Sequence, residues 1–209
     1  MINNDVILIT QIAGQKKFTV GNGENKTFVI FLKDVKDHNC RILIEINGTK
    51  ANVQVLGLII GEAAQKINLF TLQDHKKEKS VSDLLIKSVL FGSSRLNYEG
   101  LIKIRAGAQQ SNAYQKNQNI LMSHHAWADS RPKLEILAND VRCTHGATIG
   151  KIDGNVLYYL QSRGLSKAQS ERLVIEGFFN EVLNRIPDKK MAETLKIDLN
   201  KKINENLMN

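Results

Sequence analysis

Cys143 and His145, separated by a single residue in this 209-residue chain, set a thiol beside an imidazole. In an extended segment both leave the same face, about 7 Å apart along the strand. Thiolate and imidazole together suit iron, copper or zinc. Two ligands leave a tetrahedral site incomplete, so a metal here has to be shared with another segment or another subunit. The plain alternative makes Cys143 a small buried hydrophobe and His145 a hydrogen-bonded turn residue ahead of Gly146. On residue chemistry alone that alternative is the better one.

Other chemistries find less support. A Cys–His nucleophile pair needs its base within hydrogen-bond reach and an oxyanion hole, and no Asn or Asp identifies itself as the orienting third group. Gly-x-Ser-x-Gly, a phosphate-cradling Gly-rich loop ending in Lys-Ser/Thr, and His-Glu-x-x-His are all missing, so the chain is not expected to hydrolyse ATP itself. His124 and His125, read as neighbours on a strand, face opposite sides, so at most one shares a site with His145. His38 and His75 sit in polar, loop-like surroundings and read as surface residues. The Gln/Asn-rich segment from Gln109 to Asn119 reads as polar turn corners.

The formal net charge is +8, yet the lysines are spread as Lys16-Lys17, Lys76-Lys77, Lys189-Lys190 and Lys201-Lys202. With one Trp, four Tyr and seven Phe, and no basic arm or RNA-binding aromatic motif, nucleic acid is not the expected partner. Two cysteines make a poor disulfide framework, and a reducing compartment is the simpler reading. No apolar run approaches the roughly 20 residues that span a bilayer, and the first residues lack the form of a signal peptide.

The elements that must position Cys143 and His145 fall into two regimes. From Asp5 to about Ile152, short apolar stretches alternate with turn residues: Val6–Ile9, Phe28–Leu32, Arg41–Ile46, Asn52–Ile60, Lys66–Leu72, Leu101–Arg105 and Leu134–Leu137. Ile42, Ile44 and Ile46 around Leu43 and Glu45 show the period-2 pattern of strands. This predicts an all-β region, a sandwich or a β-helical stack. Val81, Leu84, Leu85 and Val89 have helical spacing, but their strand-like neighbours place the segment among the strands.

After Asp153 the pattern turns helical. Asp153 caps a short helix ending near Gly164, and Ser166 caps a second whose apolar face is Leu173, Val174, Phe178, Val182 and Leu183. Pro187 ends it. A third helix, Asp188–Leu207, repeats Met191, Leu195, Leu199 and Ile203. The expected division is therefore a β core at 1–152 and a helical domain at 153–209. Phe178 and Phe179 lie about 100° apart on their helix, so one is expected to pack inward and the other to form part of a partner surface.

Taken in order, Gly100-Leu-Ile-Lys-Ile, Ala108-Gln-Gln-Ser-Asn-Ala-Tyr-Gln115, Asn119-Ile-Leu-Met-Ser123, Pro132-Lys-Leu-Glu-Ile136, Asp140-Val-Arg-Cys-Thr-His-Gly-Ala-Thr148 and Leu157-Tyr-Tyr-Leu-Gln-Ser-Arg-Gly164 resemble successive blocks of the SufB/SufD family core. The resemblance is tight from Gly100 to Ile186 and looser from Ile7 to Leu90. It implies a mainly β protein, a right-handed parallel β-helix followed by a small C-terminal α-helical domain. It also implies a non-catalytic scaffold for iron–sulfur cluster assembly, working in the cytoplasm or, in a plastid-bearing source, the plastid stroma. The expected partners are a SufC-like ABC ATPase, docked by the C-terminal helices through Phe178, Phe179 and Leu183, and a SufB-like or SufD-like subunit or a second copy.

By motif match Cys143 and His145 are the SufD-type interface cysteine and histidine, implying a transient cluster shared between subunits and no permanent cofactor. The sequence carries no counterpart of the family's N-terminal helical domain and, with Cys40 the only other cysteine, no all-cysteine site. A stand-alone β-helical binding protein is the alternative from another class.

Overall fold

Inward-facing isoleucines, valines and leucines at every second position give short strands a buried side, and a parallel stack is what buries it. The structure, a computed structural model, describes residues 4–10, 14–34 and 38–208. Within them the strands run β1 (Asn4–Ile9), β2 (Gly14–Val20), β3 (Asn25–Leu32), β4 (His38–Ile46), β5 (Asn52–Gly61), β6 (Lys66–His75), β7 (Val81–Leu90), β8 (Arg95–Ile104), β9 (Asn112–Leu121), β10 (Trp127–Ile136) and β11 (Arg142–Gly150). Three helices follow: α1 (Gly154–Ser162), α2 (Lys167–Leu183) and α3 (Lys189–Leu207).

Odd-numbered strands form one sheet, ordered β1-β3-β5-β7-β9-β11, and even-numbered strands the other, β10-β8-β6-β4-β2. All the pairings are parallel, so each coil adds one strand to each sheet, making a parallel β-helix. The Val81–Leu90 segment is β7, and its helical spacing is incidental. Coil corners are held by residues in the left-handed region, Lys50, Lys79 and Gln110 on one side. Their amides donate to the carbonyls of Glu78, Gln109 and Asp140 on the next coil. At Gly48 only glycine fits, because a Cβ would lie 2.0 Å from the Gly21 backbone.

The inside of the first coils is apolar, with Phe28, Ile30, Leu32, Ile42, Ile44, Val53 and Val55 buried together. A second core lies outside the six-stranded sheet, where Val29, Phe31, Leu56, Leu58, Leu85 and Val89 meet Ile175, Phe179, Val182, Ile186, Leu195, Leu199 and Ile203. The helices at 153–209 thus bury their apolar stripes on the β region. Asp153, Ser166 and Asp188 are the observed helix N-caps, and Ser166 with Gln169 forms a capping box.

Several sequence expectations need correction. The buried stripe of α2 is Ile175, Phe179, Val182 and Leu183, while Leu173 is exposed. Apolar residues occur on overlapping faces of this helix, and only the sheet beneath selects one. The segment Gln109–Asn119 is a corner only up to Ser111. From Asn112 it is β9, with Gln115, Asn117 and Asn119 buried inside. Bonds within the strand, across the interior and to the preceding coil satisfy most of these amides: Asn119 Nδ2 donates to Asn117 Oδ1, Gln115 Nε2 to the Gly100 carbonyl, and Ser88 Oγ to Asn119 Oδ1.

His75 is not a surface residue. It is fully buried between Ser80 Oγ, 2.7 Å from Nδ1, and Ser82 Oγ, 2.8 Å from Nε2. His124 and His125 lie exposed in the β9–β10 connection rather than on a strand. His38 begins β4, and its side chain lies outside the described residues.

Candidate functional site

The period-2 rule puts Cys143 and His145 on one face of β11, and the register decides which. Cys143 continues the column Val53, Ser82, Ala113, while His145 continues Val55, Leu84, Gln115. Both therefore face the inside of the solenoid, on its last coil. β11 is the terminal strand of its sheet, paired with β9 on one side only, and nearly all of its residues are exposed. Side chains that are interior on every earlier coil are here at an open end.

Cys143 is half-buried against Ile102, Ile104, Ala108, Ala113 and Ala138. Burial pushes its thiol above the usual range, so at neutral pH it is a protonated, weak nucleophile. His145 is exposed. No group of three or more His, Cys, Asp and Glu side chains suited to a metal exists among the described residues. One chain thus offers one sulfur and one imidazole nitrogen, an incomplete donor set for iron. Around them the interior changes character. Tyr98, Thr71, Gln115, Asn117 and Asn119 make the coils behind β11 polar, and Ile136, Leu137 and Ile149 are exposed at the same end. An edge strand with free backbone donors and acceptors can take on another strand, and here exposed apolar side chains lie beside it.

On the helices, Phe179 and Leu183 are buried in the α2–sheet core, and a partner reaches neither without parting α2 from the sheet. Phe178 is half-buried, with the Lys87 ammonium 4.3 Å from its ring centroid. The exposed aromatic surface is instead on α1, which has no buried residue and displays Val156, Tyr158 and Tyr159. The Arg163 guanidinium lies 5.3 Å from the Tyr159 ring centroid. A sequence signal for this surface existed: two adjacent tyrosines in a nine-residue helix too short for an apolar stripe of its own.

Fold and site define a class, a parallel β-solenoid whose chemistry-bearing pair lies at an open terminal coil and whose helices pack on one sheet. Residues 24–178 match the family model described as the SufBD core domain of SUF system FeS cluster assembly. The chain therefore belongs to the SufB/SufD family of the SUF iron–sulfur assembly system. It is similar to the iron–sulfur cluster assembly protein SufD of Escherichia coli (strain K12), with 30% identity over 149 residues, 71% of this chain and 35% of that protein. SufD of Bacillus subtilis (strain 168) is 34% identical over 146 residues, covering 70% and 33% respectively. Protein ABCI7, chloroplastic, of Arabidopsis thaliana is 27% identical over 157 residues, covering 75% and 33%. The matched region spans about a third of the length of these relatives. Among the described residues no helix is long and apolar enough to cross a membrane.

Proposed function

We propose that this chain is a scaffold subunit of a SUF-type assembly complex, pairing through the β11 end of its solenoid and docking an ABC-type ATPase on its C-terminal helices. The observation that carries the reading is the placement of Cys143 and His145 on an open terminal coil with a free strand edge. The iron–sulfur cluster is cargo in this scheme, held only while subunits meet. Two-fold self-pairing joins two thiols and two imidazoles, whereas pairing with a SufB-like subunit joins one such pair to that subunit's ligands. Both arrangements complete a donor set that one chain lacks. The exposed Val156, Tyr158, Tyr159 and Arg163 of α1 make the most accessible docking surface for the ATPase. ATP binding there can shift the helices and, through them, the subunit contact that covers the cluster. The complex works in the cytoplasm, or in the plastid stroma of a plastid-bearing source.

The test is co-production with the SufC-like and SufB-like proteins of the same source, with native mass measurement and an assay of cluster assembly. The chain should co-purify with the ATPase. Cys143→Ser and His145→Ala should fold and dock normally while assembly falls at least about tenfold. Full assembly by both variants returns these residues to a structural role, and no association with either protein favours a stand-alone β-helical binding protein.

A further inference from the structure

Among the described residues the helices pack their apolar faces on the six-stranded sheet. On the outer face of the other sheet a groove of about 390 Å³ crosses β4, β6, β8 and β10. Period-2 alternation and parallel register build it from two columns of outward side chains. One is Asn39, Asn68, Asn97 and Asp129, and the other Arg41, Phe70, Glu99 and Arg131. The asparagines are chained, Asn97 Nδ2 donating to Asn68 Oδ1 at 2.7 Å and Asn68 Nδ2 to Asn39 Oδ1 at 2.8 Å. Each amide uses only part of its hydrogen-bonding capacity this way, leaving donors and acceptors along the groove.

The charges in the groove are unevenly matched. Arg131 pairs with Asp129 at 2.5 Å, and Glu99 with Lys133 at 2.9 Å. Arg41 has no carboxylate partner among the described residues. Its guanidinium carbon instead lies over the Phe70 ring, 4.0 Å from the centroid, a cation–π contact beside the ladder. A guanidinium fixed on a ring with its N–H groups free is pre-organised for a planar carboxylate. The carboxylates of Glu99 and Asp129 farther along disfavour a ligand carrying much negative charge there.

We propose that this groove is a second binding site, for an extended peptide with an acidic residue, in which Arg41 holds the carboxylate and the Asn39–Asn68–Asn97 ladder bonds the peptide's backbone amides. The amide ladder decides for a peptide over a simple anion, since it offers donor and acceptor alternately, as a peptide backbone does. The site lies on the sheet opposite the helices and does not depend on the scaffold reading.

The test is an NMR titration of the full chain with acetylated, amidated Ala-Ala-Glu-Ala-Ala, beside its Gln counterpart, acetate and inorganic phosphate. Binding of the Glu peptide should shift the backbone amides of Asn39, Arg41, Asn68, Phe70 and Asn97 in a saturable way. Either the Gln peptide or Arg41→Gln should weaken binding about tenfold, and Asn68→Ala should weaken it with the fold unchanged. Equal binding of Glu and Gln peptides, shifts scattered over the lysine-rich surface, or an unaffected Arg41→Gln variant overturns the proposal. Acetate or phosphate binding as tightly as the peptide overturns it too, leaving only an anion site.

Discussion

Lys87 on β7 and Glu181 on α2 form an ion pair at 2.5 Å across 94 residues of sequence. Lys87 is almost completely buried, and burial pulls its ammonium below the ordinary lysine range. Glu181 also reaches Arg185 at 3.5 Å, and Arg185 reaches Asp83 at 3.2 Å. The two partners are therefore unequal. Glu181→Gln leaves a buried cation without its anion and should cost about 2 kcal/mol. Lys87→Met leaves Glu181 with Arg185 and places an apolar side chain in an apolar site, so its cost should be below about 1 kcal/mol. Urea unfolding of both variants measures the difference. Equal losses would mean that the pair adds nothing beyond packing.

His75 gives the fold a dependence on acid. Burial lowers its pKa from 6.5 to about 4, because charging it inside the solenoid is unfavourable. Between these values the unfolded chain binds a proton that the folded chain does not, so stability falls as pH drops from about 6.5 to about 4. The full effect is about 3 kcal/mol. Carboxylates titrate in the lower part of this window too, so the reading is a difference. A His75→Gln variant should start less stable at pH 7, having lost the Ser80 and Ser82 bonds, and lose less stability on acidification than the parent. Parallel stability curves for the two proteins would rule out a neutral, buried His75.

The β architecture was legible because solenoid strands bury every second residue, and Ile42, Ile44 and Ile46 or Leu84 and Ile86 write that period directly. What misled were the polar residues. Gln115, Asn117 and Asn119 read as loop, since their burial depends on bonds to Gly100 on the facing strand and to Ile86 and Ser88 one coil back. His75 read as surface because of its polar neighbours, whereas two of these, Ser80 and Ser82, are the local partners that satisfy it inside the solenoid. The position of Cys143 and His145 on one strand face was readable from their spacing. That this face points into the solenoid, at its open end, follows only from the register with Ala113 and Gln115. That one of Phe178 and Phe179 packs inward was readable from their 100° separation, but which one is decided by the sheet beneath α2, which buries Phe179 and leaves Phe178 half-buried.

Close stacking makes two glycines opposite in tolerance. A Cβ on Gly48 would meet backbone atoms of Gly21 and Asn22 at 2.0 to 2.3 Å, and neither coil can move away without breaking its ladder. Gly48→Ala should cost more than about 3 kcal/mol or prevent folding. A Cβ on Gly107 meets nothing within 4 Å, and Gly107→Ala should stay within about 0.5 kcal/mol of the parent. Thermal unfolding of the two variants side by side tests the coil stacking at this corner, and comparable melting temperatures would refute it.

The two cysteines should report separately on folding and on pairing. Cys40 is buried in the solenoid core, and burial pushes its thiol up to about 11. At pH 8 only about one molecule in 1,000 would carry its thiolate, and the alkylating agent must also enter the core. Its labelling should therefore follow unfolding, and destabilising variants such as Glu181→Gln should speed it. Cys143 also has a raised thiol pKa, but it lies half-buried on the terminal strand and should react without unfolding. Iodoacetamide pulses read by peptide mass should thus modify Cys143 well before Cys40 in the isolated chain. If the β11 end is the pairing surface, adding the partner subunit should slow Cys143 at least about tenfold while Cys40 keeps its rate. Slowing of Cys40 alone would point to general stabilisation. An unchanged Cys143 rate in a complex of verified mass would place the contact elsewhere on the solenoid, removing the structural basis for a cluster shared through Cys143 and His145.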